Sequence, residues 1–537
     1  MTEKEMPGKA WTSSSTFLTE GLFSPFHSRY DTHTTIRNRF QTMSQPVLSS
    51  GSSTHSDTGR FPLVRTRPFL EENPWDVYRR IAVPRRPAVL LESGKPPSGQ
   101  ARYSFVATDP YLIFSGGPGH YSLETEHGTT QHRGDPLSSL FKVLGPCLVP
   151  RSAALPPFIG GAVGYVSYDA VRHYEVLPSL ARPDLPLPDL EFLFFDLVVV
   201  IDHCTRLLHM VFTPAPDRLL SESHEALHRE GTARMAELDG RLGSPFVETD
   251  LWGSPIKAST MEGTHSEREY VERVQRCQEF IGAGDIYQAN LAQRFSVAFN
   301  PVEDHSLHVI GQNLYHRLRA VNPSPFSGLF VTGNLALVSS SPERLFQVTG
   351  NRVTTRPIAG TRPRGRTVGE DHELMDNLRL DAKERAEHVM LVDLARNDLG
   401  RVCEYGSVHV DEFMTIEQYS HVAHLVSEVA GTLSPACSPP DLIRSVFPGG
   451  TITGAPKIRC MEIIEELEPV RRGPYTGSLG YVSWTGDADF NILIRTMVLT
   501  QQRAYLQVGA GIVADSEPHR EYQETLDKAQ ALFEALQ

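Results

Sequence analysis

The chain has 537 residues, 40% hydrophobic and 21% charged, with a formal net charge of -13 at pH 7. That length and balance allow more than one hydrophobic core and exclude wholesale disorder. The acidic surplus argues against the clustered basic surface that nucleic-acid binding needs. Six cysteines, at positions 147, 204, 277, 403, 437 and 460, lie far apart without a C-x-x-C pair or matching histidine spacing, so they carry no zinc signature and fit a reducing cytoplasm. No apolar run approaches the roughly 18 to 20 residues of a membrane span, and Glu3 and Glu5 stand where a secretion signal wants basic residues. The expectation is a soluble, cytoplasmic protein.

Residues 1–60 are rich in Ser, Thr and His without a sustained apolar period, which predicts a flexible extension. Over residues 61–212 short β-rich runs alternate with turns: Ala88–Leu91, Tyr103–Val106, Tyr111–Phe114 and the long run Leu190–Ile201. Residues 213–262 read as a polar, helix-permissive linker broken by Gly243-Ser-Pro and Gly253-Ser-Pro. Over residues 263–537 the pattern is mixed. It predicts helices over 269–283, 381–395 and 518–536, and strands over 329–338, 478–482 and 492–499. Strands and helices interleave without a regular βαβ beat, so a mixed α/β arrangement is expected.

Several polar residues sit where physical chemistry demands a partner. Glu387 shares a helical stripe with Met390, Leu391 and Leu394, and a carboxylate on an apolar face needs either a salt bridge, from Arg396 or Arg401, or a hard cation such as Mg2+. Glu521, Glu524 and Lys528 fall on one face of the terminal helix, which alone reads as a solvated face with an ordinary Glu–Lys pair. Arg495, inside an apolar run, calls for an anion. His421 and His424 would share a face if their segment is helical. The segment Gly449 to Lys457 has P-loop spacing but Ala455 stands in the lysine position, and Gly509 to Asp515 lacks the third glycine of a dinucleotide fingerprint. Both nucleotide readings are rejected; the exposed amides of such turns can hold a carboxylate instead. Turn glycines account for Gly160 to Gly164.

Taken in order, Gly284-Asp-Ile-Tyr-Gln-Ala-Asn-Leu291, Ser341-Pro-Glu343, Pro357-Ile-Ala-Gly-Thr361, the Glu387 helix, His424, Gly450 to Lys457, Arg495, Gly509 to Ser516 and the Glu521 to Lys528 helix resemble the chorismate-utilising enzymes from about residue 265 onward. Leu90-Leu-Glu-Ser93, Arg102-Tyr-Ser-Phe105 and Gly160 to Asp169 resemble the N-terminal domain that accompanies them. The resemblance implies an α/β (α+β) fold of two packed antiparallel-rich sheets flanked by helices, with residues 263–537 as the chorismate-binding part. It also implies Mg2+ held by Glu387, Glu521 and Glu524, and a general acid at Glu343. Arg495, Lys528 and the amides of Gly509, Ala510 and Gly511 would hold carboxylates, and Thr451, Thr453 and His424 would line the ring pocket.

Gln288 stands where the water-adding relatives of this family carry a lysine base. A neutral amide there implies ammonia as the nucleophile. Ala359 occupies the position of a loop lysine that attacks C2 in many enzymes of the aminodeoxychorismate branch, which favours the anthranilate branch. Pro448-Gly-Gly-Thr-Ile-Thr-Gly454, Ser341-Pro-Glu-Arg-Leu345, Tyr287-Gln-Ala-Asn290 and Asp489-Phe-Asn-Ile492 resemble the aminodeoxychorismate branch, and the balance of the resemblance lies there. No Gly-x-Cys-x-Gly elbow surrounds any cysteine, so ammonia would come from a separate glutamine amidotransferase subunit. Glu92 and Ser93 resemble a tryptophan pocket; a buried strand end with a satisfied Ser93 is the alternative.

Overall fold

The computed structural model describes residues 61–69, 73–93, 102–147, 149–244, 261–298, 306–418 and 422–537. The expected N-terminal extension and most of the stretch after Gly243 lie outside them.

Strands buried on both faces read as unbroken apolar runs, and here that burial comes from stacking two large sheets face to face. Each has twelve strands among the described residues, all paired antiparallel. Ala88–Glu92 shows the logic: Ala88 and Leu90 face a core shared with Trp75, Leu314 and Leu532, while Val89 faces a second core with Phe105, Tyr165, Phe195, Phe330 and Tyr481. That second core is the inter-sheet layer. A third, containing Leu140, Val392, Ile443 and Phe490, covers the outer face of the other sheet. The layering is therefore helices, sheet, sheet, helices, the architecture implied by the resemblance.

Both sheets mix strands from the two halves of the chain. Ala88–Glu92 pairs with Phe326–Val331, and Gly161–Val166 pairs with Ser478–Ser483. The chain repeatedly crosses from one sheet to the other. The run Leu190–Ile201, read as one strand, is two: Leu190–Phe195 in one sheet and Leu197–Asp202 in the other, with Asp196 at the crossing. Arg234 from the helix His224–Gly243 clamps that carboxylate with two bonds of 2.6 and 2.8 Å. The expected strand over 329–338 is likewise a hairpin, Phe326–Val331 and Ala336–Ser341.

Two other crossings build the functional region. Pro342 and Glu343 join Ala336–Ser341 of one sheet to Arg344–Thr349 of the other, and residues 492–495 join Ala488–Asn491 to Thr496–Leu499 in the reverse sense. The crossings are stitched together: Ile492 N donates to Glu343 O at 3.0 Å and Ser340 N to Arg495 O at 3.1 Å. The expected strand over 492–499 thus begins only at Thr496, and Arg495 takes a left-handed φ of 53°. Such a conformation is strained for an Arg and aims its side chain away from the strand's own path. His424 lies on the strand Val422–Thr432 rather than on a helix, because the alternation of buried and half-buried residues there has period two; His421 lies outside the described residues. Gly160 and Gly161 take positive φ, as expected of turn glycines, whereas Gly164 lies inside the strand Gly161–Val166, where a Cβ would stand 2.1 Å from Glu191 O.

Candidate active site

Four segments converge beside these crossings: the strands Gln288–Ala298 and Arg503–Ile512, and the helices Ala382–Gly400 and Pro518–Leu536. The helix Ala382–Gly400 starts at Asp381, whose carboxylate caps the Lys383 and Glu384 amides at 2.9 and 3.1 Å. One turn further on, Glu387 meets neither Arg396, which pairs with Asp393, nor Arg401; its Oε1 accepts from Gln288 Nε2 at 2.8 Å. The salt-bridge reading of Glu387 therefore fails. Burial pushes the Glu387 carboxyl up, against the Gln288 hydrogen bond, with Glu384 and Glu524 adding repulsion.

The terminal helix carries Glu521 and Glu524 toward the same place. Glu521 is buried and its carboxyl is likewise pushed up, first by burial and then by Glu524, with Ser516 opposing. Glu524 is half exposed, pairing with Lys528 Nζ at 2.6 Å, while that ammonium also donates to Gly509 O at 3.0 Å. Among the described residues no three ligating side chains stand close enough to enclose an ion unaided. Mg2+ usually takes one or two carboxylates and fills its octahedron with water and substrate oxygens. Of the crowded carboxylates, Glu384 pairs with Arg362 and Glu524 with Lys528, while Glu387 and Glu521 have no salt bridge among the described residues, so this donor set fits such a cation.

Gly509 and Gly511 floor this region. A Cβ at Gly511 would stand 2.6 Å from Gln288 Nε2 and 3.8 Å from Glu387 Oε1. Gly511→Ala is expected to displace the Gln288 amide, break its bond to Glu387 and cost about 10- to 100-fold in turnover, measured as kcat at saturating Mg2+ and substrate. A wild-type kcat would show that the Gln288–Glu387 contact is dispensable.

Glu343 is buried at the crossing, and its carboxyl is pushed up to about 7 by loss of solvent, opposed by the Thr451 hydroxyl and the Ile358 amide. Thr451 Oγ1 is itself buried without a closed hydrogen bond. Thr453 is turned away, its hydroxyl bonded to Gly449 O at 2.8 Å, so it fastens the turn. Lys457 is likewise occupied, by Asp398 at 2.7 Å.

The strand Ile358–Pro363 meets Glu343 through the Ile358 amide and the helix Ala382–Gly400 through Gly360, where a Cβ would stand 2.9 Å from Glu384 Oε2. Ala359 is buried opposite Leu425, and a bulge follows it before Thr361, whose hydroxyl meets His424 Nδ1 at 2.9 Å. Burial, aided by Arg495, drives the His424 pKa down to about 4, so its imidazole is neutral at physiological pH. Arg495 donates from Nη1 to Lys528 O at 3.0 Å, and no carboxylate among the described residues pairs with it. Burial pulls its pKa down, Tyr475 and Glu524 opposing, and an anionic ligand is what this guanidinium lacks. Arg356, at the head of this loop, is gripped by Glu428 at 2.7 Å and by Glu412 and Glu417.

Sequence reasoning did not single out Tyr475, Thr361 or the side chain of Asn290. Tyr475 follows the Arg472-Gly-Pro turn and carries no motif signal; only the fold brings its hydroxyl over Gly509.

Glu92 and Ser93 lie elsewhere, at an inter-sheet cavity of about 410 Å³ whose lining includes Arg102, Phe105, Phe326 and Tyr481. Glu92 accepts from Tyr315 OH at 2.8 Å and Arg319 Nε at 3.0 Å, and Ser93 Oγ donates to Tyr103 O at 2.6 Å. Both side chains are satisfied within the protein.

The region thus gathers a buried acid at one crossing, at the other an arginine that pairs with no carboxylate among the described residues, and a carboxylate cluster beside a glycine floor. The chain belongs to the chorismate-binding enzyme family, whose model matches residues 109–534. It is 44% identical to anthranilate synthase component 1 of Thermus thermophilus, over 88% of this chain and 98% of that protein. It is 40% identical to aminodeoxychorismate synthase component 1 of Bacillus subtilis, over 89% and 97% respectively. Among solved structures, anthranilate synthase component I from Streptococcus pneumoniae superposes with a TM-score of 0.69 at 35% identity, covering 82% of this chain and 93% of that one. Among the described residues no helix is long and apolar enough to cross a membrane.

Proposed function

We propose that this protein is the chorismate-aminating component of an aminodeoxychorismate synthase: it replaces the C4 hydroxyl of chorismate by an amine, using ammonia from a separate glutamine amidotransferase subunit. The observation that carries the reading is the pairing of Gln288 with Glu387. A neutral amide beside the carboxylate cluster has no base to generate hydroxide, whereas ammonia is nucleophilic as it stands. Glu387 and Glu524, with Glu521 beside them, would hold Mg2+, which when bound neutralises the ring carboxylate. Arg495 and Lys528, with the amides of Gly509, Ala510 and Gly511, grip carboxylate oxygens; Thr451 and His424 shape the ring pocket, and Thr453 fastens the turn that carries Thr451.

In the overall balance, nitrogen donates its lone pair to form C–N, the C4–O bond breaks, and the proton from Glu343 turns the departing oxygen into water. The proton lost from nitrogen restores the acid. Ala359 cannot supply a covalent relay, so nitrogen itself is the nucleophile. The segments Pro448 to Gly454 and Asp489 to Ile492 support the C4 branch. The buried methyl of Ala359, together with the anthranilate synthase relatives, favours a second reading: amination at C2 followed by loss of pyruvate to give anthranilate. Incubation with chorismate, Mg2+ and an ammonium salt, read by mass spectrometry, separates the two. The expected product retains the enolpyruvyl group; fluorescent anthranilate formed without another enzyme establishes the second reading.

The inter-sheet cavity suits an aromatic amino acid such as tryptophan, because aromatic rings and arginines share its lining. Tryptophan at about 100 times its dissociation constant is expected to stabilise the fold by about 2.7 kcal/mol, seen as a raised melting temperature. No shift at millimolar tryptophan would leave Glu92 and Ser93 with a packing role alone.

A further inference from the structure

The strand Ile358–Pro363 is tied at one end to Glu343 and at the other to the helix that carries Glu387. At its start the Ile358 amide donates to the Glu343 carboxylate. Near its end Arg362 reaches the head of the helix Ala382–Gly400: Nη1 donates to Glu384 Oε1 and Nη2 to Asp381 Oδ2, each at 3.0 Å. Nη1 also donates to Thr361 O at 3.0 Å, which holds the guanidinium against its own strand. Asp381 keeps its other oxygen for capping the helix, so the grip falls on the helix end itself. Glu384 and Glu387, three residues apart, are neighbours on the helix surface. Between the two ties Gly360 takes a φ of +69°, and a Cβ there would stand 2.9 Å from both Glu384 Oε2 and Leu378 Cδ1. Strand and helix thus approach too closely for a side chain, and a planar, two-pronged ionic grip beside that approach resists sliding. The Arg362 and Glu384 side chains remain 29% and 20% exposed; pairs so placed add little to stability, so the geometry they impose is the larger consequence.

We propose that Arg362 is a positioning residue: through Asp381 and Glu384 it fixes how far the Glu387 helix stands from Glu343, and so sets the room between the two carboxyl groups in which the substrate ring reacts. It touches no reacting atom itself. Glu343 and Glu387 lie on different elements, and a misplacement of about 1 Å in such an arrangement costs on the order of a hundredfold in rate. The proposal rests on the chorismate-using reading above and holds for amination at either ring carbon.

The test uses the purified full chain with Mg2+, ammonium chloride and varied chorismate, counting every product formed from chorismate, together with a melting curve. Arg362→Gln is expected to lower kcat about a hundredfold while KM for chorismate stays within about twofold and the melting temperature within about 2 °C. Glu384→Gln, which leaves the Asp381 prong in place, is expected to lower kcat about tenfold. The two substitutions together should fall no more than about twofold below Arg362→Gln alone, because both break one link. A kcat within twofold of wild type in Arg362→Gln overturns the proposal, as does a double variant whose loss equals the product of the single losses. A matching rise in KM for chorismate would put Arg362 on the substrate instead, and a large fall in melting temperature would make its role structural; either result overturns it. Anthranilate as the wild-type product overturns the C4 reading while the Arg362 comparison still stands on its own rates; no product at all from wild type overturns both.

Discussion

Glu387→Ala is expected to reduce Mg2+-dependent turnover at least about a hundredfold without weakening the fold. The two halves of this expectation have one origin. Burial, with Glu384 and Glu524 nearby, holds the Glu387 carboxyl above its ordinary range, which means the charged form is disfavoured where it sits. Removing it relieves that repulsion while depriving the cation of a ligand and Gln288 Nε2 of its acceptor. Initial rates across a Mg2+ series, together with a melting curve, check both parts. Turnover near wild type would remove Glu387 from the metal assignment; a large fall in melting temperature would make its role structural.

Glu343→Gln is expected to lower kcat by about 10²- to 10⁴-fold, the usual contribution of a general acid, and to flatten the pH profile. In the proposed role Glu343 must carry its proton, and burial raises its pKa to about 7. The rate should therefore be high below that value and fall as pH rises through it, when measured at constant free-base ammonia. The same sign applies to stability: the neutral form is the one the fold accommodates, so Glu343's contribution is complete below the free-carboxyl pKa and is lost as pH climbs through about 7. A Glu343→Gln profile that keeps the descending limb would assign that limb to another group.

The terminal helix was legible because its ends are marked and its period is helical: Pro518–Leu536 is the span the pattern predicts. Glu387 was legible for a similar reason, a charge on an apolar helical stripe. The strand map was harder to read. In Leu190 to Ile201 both faces of both strands are buried, so the apolar run carries no alternation to reveal that the chain changes sheets at Asp196. Arg495 shows the same blindness. An Arg amid Ile and Met residues signals a needed anion, but the left-handed turn that aims it is set by the stitching of two crossings, not by local propensity. Asn290 looked like any strand residue, and its unpaired oxygen appears only when Gly509 is brought beneath it.

In the proposed function one chorismate lies between Glu343 and the Glu387–Glu524 cluster. That placement is tested most directly by a crystal structure of the protein with Mg2+ and an unreactive cyclic dicarboxylate analogue. The expected density places the ion on Glu387 and Glu524, one carboxylate of the analogue on the ion, the other on Arg495, and the hydroxyl position beside Glu343. An analogue bound in the inter-sheet cavity, or an ion remote from Glu387, would contradict it.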